Sequence, residues 1–246
     1  MEILGIDIGG TGIKGAPVEV EQGVLIGERY RLLTPQPATP DAVVATVAKV
    51  VKHHKWHGPI GCALPAVMKR GVAYSAANID KSWIGVDAQQ LVQKKTKCPV
   101  VVMNDADAAG IAEMTFGAGK GQAGVVIIAT LGTGIGTALF LDGRLVPNTE
   151  LGHLEVRGRE AELRASDRVR QKKGLSWKQW AACLDEYLAH LEALFSPDMF
   201  IVGGGVSKKH AKFLPLLHTR APVAPAQLLN EAGIIGAALM ARPLVS

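Results

Sequence analysis

The apolar positions of this chain follow two rhythms. Aliphatic and β-branched runs at 3–8, 13–20, 59–64, 99–103, 125–130, 135–141 and 199–202 read as strands, several of them apolar without a break, as strands covered on both faces are. Between them the spacing turns helical. Val43, Val44, Val47, Val50 and Val51 follow Thr39-Pro40, and segments 87–97 and 105–116 read as helices. Trp177, Trp180, Ala181, Leu184, Leu188, Leu191 and Leu194 follow Ser176, and a small-residue helix closes the pattern at 231–241. Thr39 and Ser176 are the expected N-caps, with Pro40 in the first helical position. Alternation of strands and helices predicts an α/β fold. The order strand, glycine turn, strand, later helix occurs in both halves and predicts two lobes.

Two of the turns carry the candidate chemistry. Asp7-Ile-Gly-Gly-Thr-Gly-Ile-Lys-Gly15 and Leu131-Gly-Thr-Gly-Ile-Gly136 each follow one apolar strand and lead into another. Without Cβ atoms, Gly9, Gly10 and Gly12, and likewise Gly132 and Gly134, leave backbone N–H groups open to phosphate oxygens, with Thr11, Lys14 and Thr133 beside them. Gly10 to Gly15 also matches the dinucleotide-binding spacing, but that fingerprint needs a helix next, and 13–20 alternates as a strand containing Pro17. A lone glycine hairpin can be purely structural. Two with acids near them fit phosphoryl transfer, which rests on positioning and charge neutralisation. Asp7 would repel phosphate unless Mg²⁺, held directly or through water, lay between; otherwise it is a turn-capping aspartate. Asp105 stands where a buried strand gives way to a helix, a place that favours negative charge. It reads either as a plain cap or as a base for a hydroxyl proton. Asn104 offers an amide to a hydroxyl, and Asp107 is expected to face solvent.

Composition narrows the class further. The 246 residues are 48% apolar but only 5% aromatic, enough for two aliphatic cores, and the formal net charge is +5. Cys62, Cys98 and Cys183 are isolated, so neither a redox pair nor a cysteine zinc site is expected. No apolar run approaches a membrane span, and the chain enters a strand directly after Met1, which predicts a cytoplasmic protein with no membrane partner. His53, His54 and His57 close a helix beside Lys52 and Lys55 and are expected to face water.

The glycine strings, together with Asn104-Asp-Ala-Asp107, Glu150-Leu-Gly-His153 and Gly203-Gly-Gly-Val-Ser207, resemble the ROK family of sugar kinases and repressors. The resemblance runs in order over nearly the whole chain. Through Ala76-Ala-Asn-Ile-Asp-Lys-Ser-Trp83 and Glu150-Leu-Gly-His-Leu-Glu-Val156 it is nearest to the bacterial polyphosphate glucokinases. It implies a two-lobed actin and hexokinase-like (ribonuclease H-like) fold with a cleft between lobes 1–106 and 107–230, the C-terminal segment 231–246 packing back on the first. It further implies that Asp105 is the base and that Asn78, Asn104, Glu150 and His153 contact glucose hydroxyls, with Glu155 in reach. Gly203, Gly204 and Gly205 would approach the nucleoside of ATP. The implied reaction makes glucose 6-phosphate from glucose, with inorganic polyphosphate or ATP as donor and Mg²⁺ as cofactor, in a chain whose relatives are often homodimers.

One departure stands out. Many members of the family it resembles follow the Gly-His segment with a cysteine-rich zinc site, whereas 157–173 here has no cysteine, so no zinc is expected. In its place come Arg157, Arg159, Arg164, Arg168, Arg170, Lys172, Lys173 and Lys178, a track for a linear polyanion that Lys208, Lys209 and Lys212 extend. The absence of base-stacking aromatics among these cations argues against nucleic acid. A strictly ATP-dependent hexokinase and a glucose sensor without turnover are the alternatives.

Overall fold

The computed structural model describes residues 1–77 and 79–245. It divides into two compact units, one of 1–112 with 231–246, the other of 113–230.

The first unit is built on the strands β1 (Glu2–Ile8), β2 (Gly12–Glu19), β3 (Val24–Leu25), β4 (Tyr30–Leu33) and β5 (Ile60–Leu64), the small ribbon β6 (Met68–Lys69) and β7 (Val72–Ala73), and β8 (Val100–Asn104). Its helices are α1 (Pro40–His53), α2 (Ala88–Thr96) and the first turns of α3 (Asp105–Phe116). The main sheet runs β3-β2-β1-β5-β8, with β4 also on β2. The β1–β2 hairpin is antiparallel, whereas β1, β5 and β8 are parallel.

The second unit contains β9 (Val125–Leu131), β10 (Ile135–Leu141), β11 (Arg144–Val146), the ribbon β12 (Glu155–Val156) and β13 (Arg159–Glu160), β14 (Met199–Gly203) and β15 (Val223–Pro225). Helices α4 (Glu162–Ala165), α5 (Asp167–Lys172) and α6 (Trp177–Phe195) lie between, and α7 (Ala232–Met240) returns to the first unit. The sheet order β11-β10-β9-β14-β15 repeats the plan of the first unit: an antiparallel hairpin whose first strand continues into parallel neighbours.

The strand interiors explain this layering. Ile3, Leu4, Ile6 and Ile8 of β1 and Ile127, Ile128 and Ala129 of β9 are all buried, as parallel strands require when covered on both sides. α7 approaches the first sheet so closely that a Cβ on Gly5 would lie 2.0 Å from the Ile234 carbonyl oxygen, and one on Gly61 1.7 Å from that of Ala237. Ser176 caps α6 through a full capping box with Gln179. Thr39 precedes α1 as expected, but its hydroxyl accepts no helix N–H. Pro40 at the first position already removes one of the donors that a cap would serve.

Among the described residues no helix is long and apolar enough to cross a membrane. The three cysteines are free thiols, and burial pushes that of Cys62 up to about 12.

Candidate active site

In the first unit the glycine turn joins β1 to β2, with Gly9 donating to the Gly12 carbonyl at 3.0 Å. The strand after it confirms that the dinucleotide-binding spacing is fortuitous. Loop groups from β4 onward pin the turn: Thr34 Oγ1 donates to the Gly9 carbonyl, Gln36 to that of Gly10, and the Arg31 guanidinium to that of Thr11. Gly10 and Thr11 stay exposed at its tip. Lys14 does not point freely at a donor. Its Nζ lies 3.0 Å from Asp7 Oδ2, because the β1–β2 register sets the two residues opposite each other. Asp7 keeps 18% of its side chain exposed, with Gly233 of α7 against its carboxyl group.

β8 delivers Asn104 and α3 begins at Asp105. The cap of α3 is Asn104, not Asp105: its Oδ1 accepts from Ala106 N at 2.8 Å and Asp107 N at 3.0 Å, while Nδ2 donates to the Ala66 carbonyl. Asn104 therefore spends its carbonyl on the helix start and one amide hydrogen on Ala66, so the second amide hydrogen is the group it can offer a hydroxyl. Asp105 accepts from Ala106 N at 2.8 Å and is half-buried. Asp107, expected in solvent, is 2% exposed, since α3 has no free face there: Ala108 abuts Gly236 of α7. Asn78 lies outside the described residues.

In the second unit the turn between β9 and β10 is closed by Gly132 N to the Gly134 carbonyl at 3.0 Å, with Thr133 exposed. Two neighbours flank it. Arg168 N, at the start of α5, donates to the Gly132 carbonyl at 3.0 Å. On another side Gly204 has φ +80°, and a Cβ there would lie 2.4 Å from the Leu131 carbonyl oxygen, so only glycine fits. Ser207 N and Oγ both donate to the Gly204 carbonyl, fixing the loop of Gly203, Gly204 and Gly205 beside the hairpin.

Glu150 and His153 flank a short helical turn whose Gly152 packs on the Ile135 backbone. His153 Nε2 is 3.7 Å from Glu150, and Nδ1 is 3.3 Å from Glu160. Burial raises the Glu150 carboxyl; His153 lowers it less, and Glu162 adds to the rise. Glu155, expected to reach a sugar, is exposed on β12, and the carboxylates that join His153 are Glu160 and Glu162. Atoms of these three lie within 4.8 Å of one another, a donor set that can take a cation or several hydroxyls. The β12–β13 ribbon folds this segment back on itself, which single-residue spacing did not reveal. Glu162 Oε2 also accepts from Ile135 N, next to the glycine turn.

The basic stretch is not one solvated face. Arg157 and Arg164 both pair with Glu186, and Arg170 pairs with Asp167 and lies 4.1 Å over the Trp177 ring. Of the histidines at the end of α1, His53 and His57 are exposed as expected, and His54 is half-buried. His53 stacks on Tyr30 and His54 Nε2 meets the Gly15 carbonyl.

A model of the ROK family matches residues 3–174. The chain belongs to the ROK family. It is 51% identical to the polyphosphate glucokinase of Mycobacterium tuberculosis over 96% of this chain and 89% of that one. A crystal structure of an inorganic polyphosphate/ATP-glucomannokinase from Arthrobacter sp. strain KM is 50% identical, covers 99% of both chains and superposes with a TM-score of 0.96. A ROK glucokinase from Streptomyces griseus in complex with glucose and AMPPNP is 28% identical and covers 99% of this chain and 100% of its own, at a TM-score of 0.85. The α/β fold of this ROK chain is thus the actin and hexokinase type that its sequence implied.

Proposed function

We propose that this ROK protein transfers the terminal phosphoryl group of inorganic polyphosphate, and of ATP, to the 6-hydroxyl of glucose. The observation that carries the reading is Asp105, a half-buried carboxylate at the first position of a helix whose start Asn104 caps. The identity to polyphosphate glucokinases over nearly the full chain supports the donor and acceptor.

In this reading Asp105 takes the proton from the 6-hydroxyl as that oxygen attacks the terminal phosphorus, and the bond from phosphorus to the bridging oxygen breaks. The products are glucose 6-phosphate and a donor shortened by one phosphate. Asn78, Asn104, Glu150 and His153 hold the sugar hydroxyls, and the half-buried carboxylates Glu160 and Glu162 beside His153 add acceptors for them. Backbone N–H groups of the turns at Gly9 to Gly12 and Gly132 to Gly134 take phosphate oxygens, and the loop Gly203 to Gly205 takes the nucleoside of ATP. Asp7 fits Mg²⁺ held through water, as a partly exposed carboxylate with Lys14 on only one oxygen. The ion when bound supplies positive charge to the phosphoryl oxygens.

The Asp105→Asn variant is expected to lose turnover by about 10²- to 10⁴-fold while glucose affinity, measured by calorimetry, stays within about twofold. Turnover at the wild-type rate would remove Asp105 from the chemistry. A strictly ATP-dependent kinase is the second reading, favoured by the AMPPNP complex of the S. griseus relative. Wild-type assays with polyphosphate and no nucleotide separate the two.

A further inference from the structure

We infer that Arg168 and Lys172 grip the phosphate units of a linear polyphosphate that lie behind the one being transferred. The inference rests on the polyphosphate-donor reading and adds which side chains favour a polymer over a nucleotide. The structure sorts the cations after β12 into two groups. Arg157, Arg164 and Arg170 are neutralised by Glu186 and Asp167 at 2.6 to 2.8 Å, and so tie the β12–β13 turn and α4 to α6 and brace α5 internally. The others, Arg159, Arg168, Lys172, Lys173 and Lys178, are exposed, and none of their side chains has an ion pair or hydrogen bond among the described residues; of these, Arg168 and Lys172 stand beside the second glycine turn.

These two are four apart on α5 and therefore share one face of it. Together with Gly132, Thr133, Asp167 and Gln171 they line a pocket of about 510 Å³. The bond from Arg168 N to the Gly132 carbonyl makes the helix and the glycine turn one wall. The acid in that wall brings little net repulsion, because Asp167 is occupied by Arg170 at 2.8 Å and by Gln171 at 2.6 Å. Two unpaired like charges on one helix face disfavour each other, and a ligand with a negative charge on every unit relieves both. ATP ends its run of phosphates in a ribose and base, whereas the polymer continues past the turn with more charge.

The path for that continuation is also in place. The Trp177 ring carries Arg170 on one contact at 4.1 Å and Lys212 on another at 5.8 Å, and stacks on Phe213. This brings the segment Gly205–Lys212, with exposed Lys208 and Lys209, up to the start of α6 next to α5. Longer chains therefore meet further cations beyond the first pair.

The test compares wild type, the Arg168→Gln/Lys172→Gln variant and a Lys94→Gln/Lys95→Gln variant, which removes the same charge from α2 in the other unit. KM is measured for long-chain polyphosphate and for ATP over a range of salt. The α5 variant is expected to raise KM for polyphosphate about tenfold, to move KM for ATP less than about twofold, and to flatten the salt dependence for the polymer alone. The α2 variant is expected to match wild type. Unchanged polymer KM, an equal rise for both donors, or an equal effect of the α2 variant each overturns the assignment. A wild-type protein that uses ATP but no polyphosphate overturns the donor reading itself, and the assignment falls with it. Both substitutions are on exposed residues, and matching thermal melts verify that the fold is intact.

Discussion

Glu150 shows how a residue's surroundings decide its chemistry. Its carboxyl is raised above the ordinary value of 4.5, chiefly by burial. The native state therefore holds that proton to higher pH than the unfolded chain does, and stability falls as pH rises between the two values. Above the raised value the full cost of burying the charge is present; below 4.5 both states are protonated and it vanishes. Glu150→Gln is accordingly expected to melt above wild type at neutral pH, with the difference closing in acid. A melting difference that does not change with pH would mean the carboxylate is not penalised. At this scale the sequence was partly readable. Glu150 and His153 stood in a recognisable string, as did Asp105. Glu160 and Glu162 did not, because only the β12–β13 reversal returns them to His153. The burial of Asp107 was equally hidden, since nothing local announces that α7 will lie against α3.

Among the elements, the hairpins around both glycine turns and the helices α1, α3, α6 and α7 were legible because apolar rhythm and glycine placement are local signals. The edge strands were not. β4 and β15 are short and only partly buried, and β6 and β7 have two residues each, so they carry almost no periodic pattern. Glycines inside strands had no local explanation either, and the fold supplies one. Gly61 is small because α7, encoded far along the chain, lays its Ala237 carbonyl where a side chain would begin. Gly61→Ala must push the helix off the sheet, and overpacking of this kind costs about 1 to 3 kcal/mol. A clear fall in the thermal midpoint is expected; an unshifted midpoint would show that helix and sheet part freely.

For the whole molecule, the informative fact is that the first unit is discontinuous in sequence. Its sheet is laid down by 1–112, yet Ile234, Ile235, Ala237 and Ala238 of α7, each no more than 1% exposed, belong to its core. A chain cut after Asn230 is expected to lose amide hydrogen-exchange protection across β1, β5 and β8 while keeping it in β9, β10 and β14. Full protection in the first sheet of the shortened chain would mean that α7 is an accessory. The second unit draws on one continuous stretch and has its own buried cluster around Trp180, Leu184 and Leu188.

That division imposes an order on biosynthesis. A ribosome releases the strands of the first sheet before the second unit and their covering helix α7 only after it, so the nascent chain carries an uncapped apolar surface while the second unit is already able to fold. Slow translation or an early stop between residues 113 and 231 would thus leave a half-finished sheet exposed to aggregation, and chaperone demand should track the arrival of α7.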